Sequence, residues 1–178
     1  MSDLRFAFLS ALLLLPSSAC DRIGERGDDE DEDGELVAQV SNDECVSGLK
    51  WVGGDEESPN MHPGGDCMGC HESSGEGPTF AIAGTVFELL DEPDECFGFE
   101  GATIEIVDAE GREFSLPTNE AGNFYLAESD GPIAMPYRAS VVVDGAKRDM
   151  ISMQASGNCS TCHSASGAQG APGRVVIP

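Results

Sequence analysis

Two stretches of the chain, MHPGGDCMGCH (Met61 to His71) and MQASGNCSTCH (Met153 to His163), hold the same reactive parts in the same order. Each sets two cysteines three apart and a histidine directly after the second. On one tight turn, two thiols can add across the two vinyl groups of a haem. The imidazole carried by that turn then reaches the iron. On this reading Cys67, Cys70, Cys159 and Cys162 form the thioethers, and His71 and His163 are the proximal ligands of two covalently bound haem c groups. Two other chemistries use the same cysteines. Paired C-x-x-C knuckles make four-thiolate zinc sites, and the cysteines other than Cys20 can form a disulfide framework. Zinc does not require a histidine after each pair. A bridge within C-x-x-C is strained and redox-active, which a plain staple does not need.

The sixth iron ligands are less determined. The chain has three histidines, and two bis-histidine haems would need four. Aligned on their cysteines, the two motifs place Met61 and Met153 each six residues before the first cysteine. Six residues reach at most about 20 Å, enough to fold around a haem edge. A thioether ligand raises the potential relative to histidine. His62 adjoins Met61, and Met150 is the main alternative to Met153. Packing of both methionines on flat apolar surface is the plainer use.

The elements around these motifs follow from composition. MSDLRFAFLSALLLLPSSAC reads as an export signal over residues 1–19, because its apolar run is too short to span a bilayer. The ending SSAC resembles a bacterial lipoprotein signal, which implies lipidation at Cys20; an ordinary cleaved signal is the alternative. Residues 20–44 contain GERGDDEDEDGE, a block of like charges without aromatics, expected to be a disordered acidic tether. The net charge of −24 argues against nucleic acid and anionic lipid as partners, and favours cationic ones.

Residues 45–78 are dense in Gly, Pro, Ser, Asn and Asp, and read as loop around the first motif. Residues 79–152 carry short runs rich in β-branched and aromatic side chains: TFAIAGTVFEL, ATIEIVD, REFSLPT, GNFYLAE and YRASVVVDG. Turn clusters separate them. This pattern predicts a mainly β fold, an antiparallel β-sandwich or small barrel, with few or no helices beyond the signal. Residues 153–178 return to loop around the second motif and close on GRVVIP, a candidate final strand. With Cys20 lipidated and four cysteines on haem, Cys45 and Cys96 remain to form a disulfide.

The region from Gly84-Thr85-Val86 through Gly101-Ala102-Thr103 to Thr118-Asn119-Glu120-Ala121-Gly122-Asn123-Phe124 resembles the carboxypeptidase-regulatory-like, or transthyretin-like, domain of exported bacterial proteins. That resemblance implies an immunoglobulin-like sandwich used as a spacer or binding module, without catalytic residues. By its two Cys-x-x-Cys-His motifs alone, the chain resembles a dihaem c-type cytochrome.

The expectation is an exported, lipid-anchored electron carrier of the cell envelope. Its two haem motifs flank one sandwich, which brings residues near 67 and 159 together, and it exchanges electrons with redox partners. It is not expected to be an enzyme, although an open iron position would permit peroxidase-type chemistry. The rival is a disulfide-stabilised surface lipoprotein that uses the sandwich for binding or adhesion and carries no haem.

Overall fold

A computed structural model describes residues 39–40, 45–53 and 57–178 of the chain. The signal, Cys20 and most of the acidic tether lie outside the described residues. Gln39–Val40 (β1), inside the expected tether, pairs antiparallel with Leu49–Lys50 (β2).

The described residues are mainly β, as the alternating runs predict. Strand β3 (Phe80–Phe87) lies between β6 (Asn123–Ala127) and β9 (Val175–Val176) in a three-stranded sheet; it is antiparallel to β6 and parallel to β9. Strands β4 (Thr103–Val107), β5 (Glu113–Pro117), β7 (Arg138–Val143) and β8 (Ala146–Asp149) form a second, antiparallel sheet in the order β5-β4-β7-β8. ATIEIVD alternates as a half-buried strand should: Ile104 and Ile106 are buried while Glu105 is not.

Both sheets supply one core. Ile82 and Val86 of β3 and Phe124 of β6 meet Ile104, Ile106, Leu116 and Val141 of the other sheet. Fully burying each such side chain contributes roughly 1.5–3 kcal/mol. Six consecutive residues of β3, Ile82 to Phe87, are buried. A strand covered on one face alone would alternate, so β3 is covered on both.

Two expectations need correction. Residues 45–78 are not all loop: Cys67–Ser74 form an α-helix, α1, of two turns. It was hidden because it is too short for periodicity and carries Gly69. Its ends explain it. The Asp66 side chain caps the N-terminus by accepting from the Gly69 amide at 2.9 Å. Gly75 ends it in the left-handed conformation, φ 69°. Strand β8 also lay outside the sequence-predicted runs.

The disulfide Cys45–Cys96 is present, joining residues 51 apart in sequence. Closing a loop of that length stabilises by on the order of 3–4 kcal/mol in the chain-entropy picture. It packs with Phe87 in a small second core. Among the described residues no helix is long and apolar enough to cross a membrane.

Candidate haem-attachment site

Strand β3 assembles the site, because both motifs sit on it. Helix α1 puts the first motif, Cys67 to His71, against β3. Gly157 accepts from the Ala83 amide at 3.1 Å. Asn158 then bridges Ala83 in parallel, which lays the second motif along the same strand. Cys159–Thr161 continues as a turn of 3-10 helix. Residues near 67 and 159 are therefore brought together as expected, and by direct bonds. Asn158 Nδ2 donates to Asp66 Oδ1 at 2.7 Å, and Ser160 Oγ donates to the Gly65 carbonyl at 2.7 Å.

The two histidines are held alike. His71 Nδ1 lies 2.9 Å from the Pro78 carbonyl, and His163 Nδ1 lies 2.9 Å from the Gly173 carbonyl. A carbonyl oxygen can only accept, so each imidazole carries its proton on Nδ1. That leaves the Nε2 lone pair free to act as a ligand atom.

Around the first motif an apolar cleft of about 250 Å³ is lined by Met61, Cys67, His71, Phe80, Phe124 and Tyr125 among others. A cysteine and the histidine of the first motif thus share one surface with Met61. Such a volume holds part of a tetrapyrrole and leaves the remainder at the surface. The two distal candidates of this site separate. Asn123 Nδ2 donates to the Met61 carbonyl at 3.0 Å, which fixes the backbone that carries Met61. His62 is engaged elsewhere: its Nδ1 pairs with Glu95 at 2.9 Å, and its ring packs on Trp51, centroids 4.0 Å apart.

The second motif is tighter. Cys159 packs against the core beside Gly84 and Tyr137. A group held there would need the Cys159 sulfur freed from that packing. Met153, 47% exposed, and half-buried Met150 lie in the segment after β8.

The cysteines differ in state. Cys67, Cys159 and Cys162 are free thiols. Cys70 is not among them. Burial pushes the Cys67 thiol up to about 11, with the Asp66 carboxylate adding to it and a backbone hydrogen bond opposing. Burial likewise raises Cys159 to about 12, helped by neighbouring Cys67 and Cys162. The set Cys45, Glu92 and Cys96 also gathers metal-ligating atoms within 4.8 Å, but the disulfide uses both sulfurs.

Sequence reasoning did not find the residues that join the motifs. Asp66 and Asn158 occupy the same position in the two aligned stretches, directly before the first cysteine. That shared amide-or-carboxylate position was the available signal. Nothing in the sequence pointed to Pro78 or Gly173 as acceptors. Compared with family models, curated proteins and solved structures, the chain finds no match.

Proposed function

We propose that the chain is an exported dihaem c-type cytochrome that passes electrons between partners at the cell envelope. The observation that carries this is the matched pair of imidazoles. In both Cys-x-x-Cys-His motifs the histidine donates Nδ1–H to a backbone carbonyl and keeps Nε2 for a metal. In this reading Cys67 and Cys70 hold one haem c and Cys159 and Cys162 the other, with His71 and His163 as proximal ligands. Met61 is favoured over His62 as the sixth ligand at the first site, because it lines the cleft with His71. Met153, with Met150 as its alternative, is the candidate at the second. When bound, haem supplies reversible one-electron exchange at iron; the chain supplies ligands, apolar cover and the spacing between sites.

The rest of the reading follows the sequence. Residues 1–19 direct export, and lipidated Cys20 anchors the protein through the acidic tether. Residues 79–152 form a sandwich of the carboxypeptidase-regulatory-like kind. The single core shared by the two sheets supports that last assignment. So does the family's Asn119–Phe124 stretch, which is built as a tight turn: Asn119 Oδ1 accepts from the Ala121 and Asn123 amides. The acidic balance favours cationic redox partners and disfavours nucleic acid. We assign no enzymatic reaction.

A second reading has an observation of its own. Cys45 and Cys96 form a disulfide, as a haem-free, disulfide-stabilised surface lipoprotein would need. Export from a host with a cytochrome c maturation system separates the two. A red product with a c-type pyridine haemochrome spectrum supports the cytochrome, and a colourless folded product supports the lipoprotein.

A further inference from the structure

We propose that Arg174 is the positioning residue that sets the orientation of His163. The chain has nine Lys and Arg residues in all, and the Arg174 side chain is 1% exposed. A buried guanidinium is retained only where its donors are used. Here Nε donates to the Glu92 carbonyl at 2.9 Å and Nη1 to the Gly64 carbonyl at 3.1 Å, while Nη2 pairs with the Asp94 carboxylate. The guanidinium also lies over the Phe87 ring, 5.0 Å from its centroid.

The residue before it, Gly173, provides the carbonyl that receives His163 Nδ1–H. The Arg174 amide donates to Leu90 at 2.8 Å, and a side chain at 173 would run into that same Leu90 carbonyl. The backbone at 173–174 is therefore pressed against the loop after β3 and pinned there by the guanidinium. The direction of the Gly173 carbonyl follows from that pin, and the direction of the imidazole follows from the carbonyl. His71 is oriented differently: its acceptor, Pro78, directly precedes Thr79, whose carbonyl accepts from Glu128. The two histidines thus share a hydrogen-bond pattern but not its support. Through Gly64, three residues before Cys67, Arg174 also ties the approach to the first motif to the C-terminal segment.

The geometry is independent of haem, whereas its consequence for a bound iron rests on the reading above. The test uses the full chain with ¹⁵N-labelled histidine, exported without and with haem maturation. In the haem-free protein, NMR is expected to show His163 and His71 both as Nδ1-protonated tautomers. Arg174→Met should turn His163 into a mixture of tautomers and leave His71 unchanged; Arg174→Lys should restore part of the difference. In the matured protein the spectrum and potential of the second haem should shift in Arg174→Met, with those of the first haem retained. An unchanged His163 tautomer in folded Arg174→Met overturns the proposal. If Arg174→Met does not fold, a folded Arg174→Gln protein with an unchanged His163 tautomer overturns it equally. Absence of haem from matured wild type would instead overturn the cytochrome reading and leave the tautomer result standing.

Discussion

Asn158 Nδ2 donates to Asp66 Oδ1 at 2.7 Å, so the residues directly before the two Cys-x-x-Cys-His motifs are bonded to each other. The same Asp66 oxygen caps α1 through the Gly69 amide. One carboxylate therefore starts the first motif's helix and holds the second motif beside it. Asn158→Ala removes the cross-link and leaves the cap. Because this bond is exposed, we expect a loss below the range for a buried charged hydrogen bond, about 1 kcal/mol, in urea denaturation. We also expect the haem content to fall at both sites together; a fall at one site alone would mean that the motifs mature independently.

Gly84 marks where β3 lets Cys159 approach. A Cβ there would stand 2.8 Å from Phe124 Cζ and 2.9 Å from Cys159 Cβ. Gly84→Ala is expected to cost about 1–3 kcal/mol by overpacking, read as a lower denaturation midpoint with an unchanged m-value. The displaced group includes Cys159, a cysteine proposed to hold haem, so occupancy of the second site should fall more than that of the first.

The buried thiols give the haem-free protein an alkaline limb. Their folded pKa values are raised, to about 11 for Cys67 and about 12 for Cys159, from an ordinary 9.0. The stability tied to them is complete below pH 9 and is lost as pH rises from there through 11 to 12, because the unfolded chain ionises first. A thioether does not titrate. Denaturation midpoints measured from pH 8 to 11 should fall for the haem-free protein more steeply than for matured protein; identical slopes would count against attachment at these sulfurs.

Asp108 gives the opposite limb. Burial works against its charge, but it accepts from the Arg112 amide and guanidinium and from the Ala134 and Glu110 amides, which together hold its carboxyl below the ordinary range. A depressed carboxylate stabilises above its unfolded value, about 3.9, and that stability is lost as pH falls through the folded value. Asp108→Asn should therefore lower stability at pH 7 and flatten its fall below pH 4; an unaltered acid limb would place the acid sensitivity elsewhere.

How much of this could be read from residues alone depended on the range of the signal. The alternation in ATIEIVD, over five residues of β4, was legible because a half-buried strand writes its faces in sequence. The pairing of Cys45 with Cys96 was legible by elimination. Strand β8, AKRD, was not, because its exposed side chains carry no apolar period. Its one signal was the Asp144-Gly145 turn, where φ is 49° and 82°, as a two-residue hairpin requires. The meeting of Asp66 with Asn158 and the clamp from Arg174 to Gly64 were illegible for a different reason. They join positions about a hundred residues apart through side chains, and no local pattern records such a contact.

The most direct measurement is the intact mass of the mature, exported protein, taken with and without the paired change of Cys67 and Cys70 to Ala. Two covalent haems are expected on the wild type and one on the variant, the remaining haem lying on the peptide that contains Cys159 and Cys162. A wild-type mass equal to the polypeptide and its lipid alone, produced in a host that matures other c-type cytochromes, would contradict haem attachment outright.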